Sequence, residues 1–495
     1  MKTTIINADE VQDFQGCVLT YGHFSTIHPG HIRYLRHARG LAEKLVVALI
    51  GDASNQKYPF NQNERAEALS LLGIADAVFL LKADELDQAI TSLQPTVLVL
   101  GNEFKDNAEI QSSLAHQRQQ GRSVQFHAGD IHYATADLLS GSESELRQQR
   151  RILFKAACRR QGIDTNQLLK AINAWGNTRL IVLGDTIVDQ YAACEAIGMS
   201  AEAPVVVVRE LERRNFIGGA AVVAAHISAL GAQCDFISVV GTDSTAELVR
   251  KELSAQGIGD GLSSDPSRPT TFKKRYVVEN QKLFRVSRLE DHNLDAAVED
   301  QVIAQLERLA PDAKGIVVSD FVYGVVTPRI LEVVQQLAEK HNLLLFGDLQ
   351  CSSQVGSVTR FESFSLLCPN EREARLALQD KDGGLEQLSQ RLLQITGSER
   401  LVMKLGPEGF IAYDRAANGQ VSSQPFPALS VNPLDVAGAG DSLLALFATG
   451  LASGQAMMPT AALACCMAAL AVETMGNTPI SAAALRSSLQ EVLLP

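Results

Sequence analysis

Short apolar segments that end in glycine or polar residues recur along this 495-residue chain. In the first third of the chain they occupy residues 45–50, 77–81 and 96–101, and segments of helical type lie between them. Strands of this composition are buried on both faces of a sheet, so their alternation with helices predicts a parallel sheet covered by helices. The polar strand ends would then gather at the carboxyl edge, where open α/β sheets bind their ligands.

A second series of apolar segments begins after a polar, arginine-containing stretch at residues 141–177. Two further segments of strand type, residues 204–208 and 271–278, suggest a small β lid on this second part. We therefore predict an α/β protein with a Rossmann-like N-terminal domain and a larger C-terminal α/β domain that carries the lid. The members of the second series are residues 179–184, 315–320, 343–348, 365–370 and 401–404.

The predicted domains are residues 1–140 and residues 179–495, with a helical connector at residues 141–178 between them. Two domains agree with the length of the chain, which is too great for one ordinary core. The connector is rich in arginine, which favours a solvated helix face and leaves an anion site as the alternative. These arginines are Arg147, Arg150, Arg151, Arg159 and Arg160.

The composition narrows the range of partners. A formal net charge of −12 argues against a general nucleic-acid binder, which needs a positive surface. The eight cysteines have no paired or zinc-binding spacing, as is typical of reduced thiols in the cytoplasm. No charged segment followed by a long apolar run opens the chain, and the longest apolar stretch, residues 461–472, is shorter than the roughly 20 residues that span a bilayer. We expect a cytoplasmic protein with no membrane and no nucleic-acid partner, in which residues 461–472 form a buried helix.

Residues 435–442, with the sequence DVAGAGDS, combine a glycine turn with the start of a helix. Gly438 and Gly440 permit backbone geometry that a side chain would obstruct, and a helix N-terminus attracts phosphate charge. Asp441 could accept the proton of an attacking hydroxyl, which makes it the predicted catalytic base. The structural alternative is that Asp441 only caps an ordinary helix.

A second motif lies at residues 21–31, with the sequence YGHFSTIHPGH. His28 and His31 are three residues apart at the start of a predicted helix, so they project to one side of it. Imidazole donors at this point could stabilise the charge that develops on the α-phosphorus of a nucleotide during nucleotidyl transfer. For a lone HxxH pair, a structural role or a fragment of a metal site is the alternative.

Residues 180–489 resemble the PfkB/ribokinase sugar kinases, and in particular the heptose kinases of ADP-heptose synthesis. The resemblance rests on DVAGAGDS, on GDTIVDQY at residues 184–191, on GGAA at residues 218–221 and on an NxxE pair, Asn370 and Glu373. It implies that the NxxE pair orders Mg²⁺ and its waters, without a metal cage made of protein alone. The implied nucleotide and phosphate residues are Asn370, Glu373, Lys404, Gly406, Gly409, Gly438, Ala439 and Gly440. The implied sugar-site residues are Asp189, Gly218, Gly219, Lys273, Arg275, Arg285 and Asp320.

Three positions depart from the pattern of these kinases. Val222 replaces the Asn that follows GGAA, and Tyr323 and Gln350 replace lysines, so one sugar contact and two positive charges are missing. Because Asp441, the glycine turn and the NxxE pair remain, we expect phosphoryl transfer with altered sugar recognition. Lys273 and Arg275 are two residues apart on a predicted strand, so their side chains share one face and could together hold a substrate phosphate.

Residues 16–139 resemble the cytidylyltransferase-like nucleotidyltransferases, whose HxGH loop corresponds to the motif at residues 21–31. The resemblance extends to KYPF at residues 57–60, to ERAEAL at residues 64–69 and to the apolar segment at residues 95–101. It implies His28 and His31 as catalytic residues. The implied nucleotide-site residues are Gly22, Phe24, Lys57, Arg65, Gly101 and Thr135.

Two departures concern this N-terminal site. Ser25 replaces the usual Asp, and the closing serine/threonine motif is reduced to Thr135, with Ser140, Ser142 and Ser144 as an alternative alignment. For Arg65, the alternative to a phosphate ligand is an exposed charge on a helix. The two halves also run in the reverse order from the heptose enzyme.

Together the two resemblances predict a bifunctional enzyme of nucleotide-sugar synthesis. ATP would phosphorylate a sugar or sugar phosphate, with heptose as the leading candidate, and the N-terminal domain would then convert the sugar-1-phosphate to an ADP- or CDP-sugar. Mg²⁺ would accompany ATP, or CTP, and a homodimer through the lid is expected. Two alternatives stay open: an active kinase whose N-terminal domain is a nucleotide-binding regulatory or assembly module, and a scaffold protein with two inactive sites.

Overall fold

The computed structural model describes residues 3–6, 8–24, 27, 29–52, 60–81, 86–101, 104, 107, 110–127, 143–202, 205–278, 281–351, 356–381, 383–416 and 418–493. The chain divides into two compact units. One comprises Met1–Gln149 and Leu378–Leu392, and the other comprises Arg150–Ala377 and Leu393–Pro495. The domain boundaries drawn from the sequence stay a prediction.

The first unit is built on a parallel sheet. Its strands are β1 (Thr4–Ile6), β2 (Val18–Gly22), β3 (Leu45–Ile50), β4 (Ala77–Leu81), β5 (Val97–Gly101) and β6 (Ser123–His127), in the order β1-β4-β3-β2-β5-β6. All neighbouring pairs are parallel. The α-helices among the described residues of this unit's N-terminal part are α1 (Pro29–Arg39), α2 (Gln62–Leu71), α3 (Leu86–Leu93) and α4 (Gln111–Gln119).

Strand β3 explains why this sheet is covered on both faces. Every residue of its LVVALI sequence is buried. Val46, Ala48 and Ile50 belong to one core cluster, whereas Leu45, Val47 and Leu49 belong to another. Since alternate residues of a strand point to opposite faces, the two clusters lie on the two sides of the sheet. The predicted parallel, covered sheet is thus confirmed.

The second unit contains most of the remaining strands and helices. Its strands are β7 (Arg179–Gly184), β8 (Thr186–Met199), β9 (Val206–Gly219), β10 (Gln233–Val240), β11 (Gly259–Ser264), β12 (Thr271–Val278), β13 (Gln281–Arg288), β14 (Gly315–Asp320), β15 (Leu344–Leu349), β16 (Leu366–Leu367), β17 (Arg400–Lys404), β18 (Phe410–Arg415) and β19 (Val421–Phe426). The helices that follow α4 are α5 (Glu143–Arg160), α6 (Thr165–Asn173), α7 (Ala220–Ala229), α8 (Ser244–Ala255), α9 (Ala296–Leu309), α10 (Pro328–His341), α11 (Glu371–Leu378), α12 (Leu385–Thr396), α13 (Ala439–Ala452), α14 (Met457–Val472) and α15 (Ala482–Leu493).

The main sheet of this unit has the order β11-β10-β7-β14-β15-β16-β17-β18-β19. The first seven strands of this order, from β11 to β17, are paired in parallel. The last two pairs, β17 with β18 and β18 with β19, are antiparallel. Helix α14 is buried along most of its length, which confirms the buried helix expected at residues 461–472. In the described part of the chain, no helix is both long enough and apolar enough to cross a membrane.

A separate small sheet with the order β13-β12-β8-β9 forms the lid. Strands β8 and β9 are 14 residues long each and pair antiparallel, and the ends of both strands that include Met199 and Val206 are largely exposed. Strand β12 coincides with the predicted segment at residues 271–278, and β9 begins within the other predicted segment. The α/β architecture with a small β lid is confirmed.

Helix α5 contributes to the core of the second unit. Phe154 is fully buried, and its ring centroid lies 6.4 Å from that of Phe426 on β19. Ala157 and Cys158, one turn further on, belong to the same cluster. The solvated face inferred for the arginines holds only in part: Arg147, Arg159 and Arg160 are exposed, whereas Arg150 and Arg151 are half-buried and hydrogen-bonded to other parts of the fold.

Candidate active site

The helix that carries Asp441 begins at a glycine turn, as the sequence predicts. Its N-cap is Gly438, whose φ of 78° lies in the left-handed region. An added Cβ at Gly438 would lie 2.5 Å from Asn477 Oδ1, so a side chain here would displace the Asn477 amide and strain the backbone. Asp441 lies in the first turn of α13 and is not its N-cap, so the purely capping alternative for this residue is wrong.

The Asp441 carboxylate is buried and is held by Gln350, the residue that follows strand β15. Gln350 Nε2 donates a hydrogen bond to Asp441 Oδ1 at 2.9 Å. Burial, and then the negative charge of Asp348, raises the pKa of Asp441 to about 8, against the opposing charge of Lys404. A carboxylate with a pKa near neutrality is well matched to accept a proton from a substrate hydroxyl.

Lys404, at the end of β17, forms a buried ion pair with Asp348 of β15. Its Nζ donates to Asp348 Oδ1 at 2.8 Å and to Oδ2 at 2.7 Å. Burial alone would lower the pKa of Lys404, but the charges of Asp348 and Glu373 raise it above its ordinary value, so the side chain stays cationic. A Cβ on Gly440 would come within 3.3 Å of Lys404 Nζ, which places this cation beside the glycine turn.

The NxxE pair forms a reciprocal capping box at the start of α11. Asn370 Oδ1 accepts from the Glu373 backbone N–H, and Glu373 Oε2 accepts from the Asn370 backbone N–H, both at 2.8 Å. A backbone bridge joins Asn370 to Lys404. Burial raises the pKa of Glu373, with Lys404 acting against this and Asp348 adding to it.

These groups meet at one end of a cavity of about 570 Å³. A volume of this size is typical of sites for small molecules and cofactors. The rest of the wall is largely apolar and comes from the loop at residues 427–433, from β18 and from α14. The lining residues include the predicted site residues Asn370, Glu373, Lys404, Gly406, Gly409, Gly438, Ala439, Gly440 and Asp441, together with Gln350 and the apolar residues Phe410, Leu429, Val431, Ala468, Ala469 and Val472.

The lid contributes a second group of the predicted residues. Arg275 Nη1 on β12 donates to Asp189 Oδ1 on the adjacent strand β8 in a largely buried ion pair. A Cβ on Gly218 would lie 2.4 Å from Asp189 Oδ2, so this glycine makes room for the carboxylate. Gly219, with a φ of 63°, is the N-cap of α7.

Lys273 and Arg285 extend this group. The Lys273 ammonium lies 5.0 Å from the centroid of the Tyr323 ring and 5.6 Å from that of Phe321. Arg285 on β13 is directly opposite Arg275 in the antiparallel register. Two like charges opposite each other are unfavourable unless an anion lies between them. The predicted phosphate-holding pair, Lys273 and Arg275, is on one strand, and Arg285 adds a third cation.

Asp320 ends strand β14 on the main sheet. Its carboxylate is buried, accepts from Arg360 Nη1 at 3.0 Å and accepts from the Val322 N–H at 2.8 Å. Burial raises its pKa, and the Arg360 charge opposes the shift. The neighbouring Asp185 has a pKa raised to about 7, first by burial and then by the charge of Asp320. Asp185 was not among the predicted site residues, although its position after the glycine that ends β7 was a usable signal.

The lid is joined to the segment that leads into the glycine turn. Asp435 Oδ2 accepts from the Tyr191 hydroxyl at 2.8 Å, and Asp435 Oδ1 accepts from Lys282 Nζ at 2.9 Å. Burial would raise the pKa of Asp435, but the hydrogen bonds from Lys282, Ala437 and Tyr191 hold it below its usual value. These partners are 153 or more positions away in the chain, so no local sequence pattern could indicate them.

Some of the residues predicted for the N-terminal site lie at the carboxyl edge of the first sheet. Gly22 and Gly101 end the adjacent parallel strands β2 and β5. Phe24 is buried, and its ring centroid lies 5.0 Å from that of His31 in the first turn of α1. A Cβ on Gly22 would lie 3.1 Å from the Phe24 ring. His28, Lys57 and Thr135 lie outside the described residues.

Arg65 is buried, with 2% of its surface exposed, so the alternative of an exposed helix charge is wrong. Its Nη1 donates to the backbone carbonyls of His23 and Ile50, and its Nη2 donates to Asp52 Oδ1 at 2.7 Å. The guanidinium thus ties together the segments that follow β2 and β3. Whether it also binds phosphate stays a prediction.

A family model of the pfkB carbohydrate kinases matches residues 177–483, more than half of the chain, and the chain therefore belongs to that family. The cytidylyltransferase-like model matches residues 19–222.

Similar curated proteins include "Bifunctional protein HldE" of Trichlorobacter lovleyi, which is 32% identical over 309 residues, 62% of this chain and 61% of that protein. The protein of the same name from Geobacter sulfurreducens is 33% identical over 319 residues, 63% of each. The chain thus spans somewhat less than two thirds of the length of these relatives.

Solved structures support the fold of the C-terminal part. Phosphofructokinase-2 of Escherichia coli has a TM-score of 0.53 at 14% identity, covering 64% of this chain and 99% of that one. Ribokinase of Thermotoga maritima has a TM-score of 0.50 at 18% identity, covering 63% and 99%. At such identities the likeness concerns the fold alone, and it confirms the ribokinase-like architecture.

Proposed function

We propose that the second unit transfers the γ-phosphoryl group of ATP to a hydroxyl of a sugar or sugar phosphate. The observation that carries this proposal is the convergence of Asp441, the Gly438 turn and the Lys404 ion pair at one end of the cavity. The membership in the pfkB family of carbohydrate kinases supports it. Fold likeness alone would not support a reaction, whereas these named groups do.

In the proposed reaction, Asp441 takes the proton of the sugar hydroxyl while the hydroxyl oxygen forms a bond to the γ-phosphorus. The bond from that phosphorus to the bridging oxygen breaks, and ADP leaves with the electron pair. The first amides of α13 and the Lys404 ammonium stabilise the charge on the phosphoryl oxygens. Gln350 orients Asp441 through its hydrogen bond.

Mg²⁺ fits the catalytic end of this cavity because Asn370 and Glu373 offer amide and carboxylate oxygens, which this ion prefers. When bound with the nucleotide it would neutralise phosphate charge, and these two residues would hold its waters. The capping box orients both side chains at the cavity wall.

We propose a phosphorylated sugar, with a heptose phosphate as the leading candidate, for the lid site. Asp189 would bind sugar hydroxyls, and Lys273, Arg275 and Arg285 would bind a phosphate already on the substrate. Arg275 and Arg285 are directly opposite each other on neighbouring strands, and guanidinium groups are well suited to bind a phosphate, which supports a charged substrate. Tyr323 stands where the similar kinases have a lysine, and Lys273 lies over its ring.

For the N-terminal domain we propose nucleotidyl transfer to the sugar-1-phosphate. A phosphate oxygen of the sugar would attack the α-phosphorus of ATP or CTP, and pyrophosphate would leave. His28 and His31 would stabilise the developing charge, and Gly22, Phe24 and Gly101 would shape the site. Relatives named "Bifunctional protein HldE" support a chain with two activities.

A second candidate is a nucleotide-binding regulatory or assembly role for the N-terminal domain. The bonding of Arg65 to two backbone carbonyls and to Asp52 favours it, because this guanidinium already has a structural role. The absence of the usual Asp at Ser25 points the same way.

Two assays separate these proposals. ADP formation with a panel of sugars and sugar phosphates tests the kinase, and Asp441→Asn should abolish it. Pyrophosphate release from ATP or CTP with sugar-1-phosphates tests the transferase, and His31→Ala should abolish it while ADP formation continues. Kinase activity without pyrophosphate release from any sugar-1-phosphate would support the regulatory role.

We propose a homodimer through the lid and a cytoplasmic location. The lid strands β8, β9 and β13 expose large apolar side chains, including Ile197, Leu211 and Phe284, each more than half exposed. An exposed apolar patch of this kind is typical of an interface between proteins. Leu211→Glu together with Phe284→Glu should halve the mass measured by light scattering.

The proposed cytoplasmic location is supported by the cysteines. All eight are thiols, as suits a reducing compartment.

A further inference from the structure

Arg150 reaches the kinase cavity from outside the part of the chain that matches the carbohydrate kinases. It lies on α5, before the matched residues 177–483. Its Nη1 donates a hydrogen bond to the Ser430 carbonyl, and its side chain lines the cavity. Both residues belong to the same compact unit.

Arg150 differs from the other charged residues that line the cavity in the part of the wall to which it is bonded. Among the described residues that line it, the other charged side chains are Glu373, Lys404 and Asp441, all at the catalytic end. Arg150 instead is bonded to the loop that supplies Leu429 and Val431 to the apolar wall. A guanidinium at an otherwise apolar wall offers hydrogen-bond donors to whatever lies there.

The helix holds Arg150 in a fixed place. Phe154, one turn further along α5, is fully buried against Phe426. Arg151 forms an ion pair with Glu491 on α15. Because its helix is packed into the core and its guanidinium is bonded to a carbonyl, little side-chain freedom remains to be lost when a ligand binds.

We propose that Arg150 is a nucleotide-recognition residue of the kinase site, donating hydrogen bonds to acceptor atoms on the nucleoside part of ATP. The catalytic end receives the phosphates, so the base and ribose lie along the apolar wall where Arg150 stands. Ring nitrogens of the purine and ribose oxygens are acceptors that match a guanidinium. This inference rests on the kinase function proposed above.

Calorimetric titration of the full chain with ADP, adenosine and inorganic tripolyphosphate tests it. Ala469→Trp, which fills the apolar wall with an indole, identifies the binding event that belongs to this cavity. Arg150→Met keeps the stem of the side chain and removes the donors. We expect roughly tenfold weaker binding of ADP and adenosine at this site, with tripolyphosphate unchanged.

Two further variants serve as controls. Arg150→Lys keeps the charge without the planar fork and should bind ADP with intermediate affinity. Arg147→Ala, on the same helix in an exposed pair with Glu143, should bind like the wild type. Unchanged ADP affinity in Arg150→Met, or an equal loss for tripolyphosphate, would overturn the inference. If ADP does not bind the wild-type cavity at all, both the inference and the kinase proposal fail.

Discussion

Gln350 Nε2 donates a hydrogen bond to Asp441 Oδ1 at 2.9 Å, which links the end of strand β15 to the first turn of helix α13. The resemblance to the sugar kinases implies a lysine at this position, so Gln350 supplies a neutral donor where a cationic one is expected. The bond favours the ionised form of Asp441 without adding a charge.

Changing Gln350 should therefore move the pH dependence of the kinase. The proposed base must be ionised, so kcat/KM rises with pH through the pKa of Asp441. Gln350→Lys places a positive charge beside the carboxylate and should shift this rise to lower pH. Gln350→Leu should shift it to higher pH and lower kcat/KM by about tenfold. Identical pH profiles in all three proteins would contradict the role assigned to Gln350.

Asp441→Asn should stabilise the protein while abolishing ADP formation. An unfolded Asp titrates near pH 3.9, whereas burial raises the pKa of Asp441 to about 8. Between these values the native state retains a proton that the unfolded state has released, so the Asp441 contribution to stability falls as the pH rises. The advantage of Asn should be absent below about pH 4 and reach roughly 1 to 3 kcal/mol above about pH 8. Urea unfolding across this pH range measures it, and an Asn variant that is less stable at alkaline pH would refute the argument.

Gly438→Ala should remove kinase activity through the clash with Asn477. Its backbone has a φ of 78°, and a Cβ would lie 2.5 Å from Asn477 Oδ1. Gly454, with a φ of 86° and no atom within 4 Å of an added Cβ, is the matched control. Both alanines should cost about 1 to 2 kcal/mol of backbone strain, and only Gly438→Ala should lose ADP formation. Equal activity in the two variants would argue against the glycine turn as the phosphate site.

Phe154→Ala should destabilise the kinase unit by about 3 to 5 kcal/mol, because a fully buried aromatic ring is removed from the core. Ile152→Ala on the same helix is the control, since Ile152 is 55% exposed. Its cost should stay within about 0.5 kcal/mol. Urea unfolding followed by tryptophan fluorescence is a suitable measurement, since the single Trp, Trp175, lies in the same cluster. Similar losses in the two variants would mean that α5 does not pack as described.

Arg65→Lys should be nearly as unstable as Arg65→Ala. One guanidinium bonds two carbonyls and Asp52 at once, and an ammonium cannot reproduce this planar arrangement. Each variant should lose roughly 2 to 3 kcal/mol of stability in the N-terminal unit, measured by thermal unfolding. Arg36→Ala, an exposed arginine on α1, is the control. Wild-type stability in Arg65→Lys would show that charge alone suffices.

Sequence patterns predicted the main sheets closely because their strands are buried on both faces. Residues 45–50, 77–81, 179–184 and 315–320 are strands of these sheets with the expected bounds. Strand β8 is harder to predict from sequence, since the polar residues Asp189 and Gln190 follow its apolar Ile187 and Val188. Cross-strand pairing with β9 and β12 stabilises it instead, which is tertiary information.

The site residues that belong to short contiguous motifs could be predicted from the sequence. Contacts between residues that are far apart in the chain could not. The glycine turn, Asp441 and the NxxE pair are contiguous motifs, and they line one cavity. Gln350 was treated only as a missing charge, although it bonds Asp441. Arg150 and Ser430 are 280 positions apart, so no periodicity or motif could have paired them.

The bonds from Tyr191 and Lys282 to Asp435 have a consequence for how substrates bind. Gly438 follows Asp435 by only three positions, so a shift of the lid strands is transmitted to the amides that would receive phosphate. We therefore expect the proposed sugar and nucleotide to be thermodynamically linked. Each ligand would then alter the affinity of the other by the same factor, and weakening the Lys282 contact should reduce that factor for both.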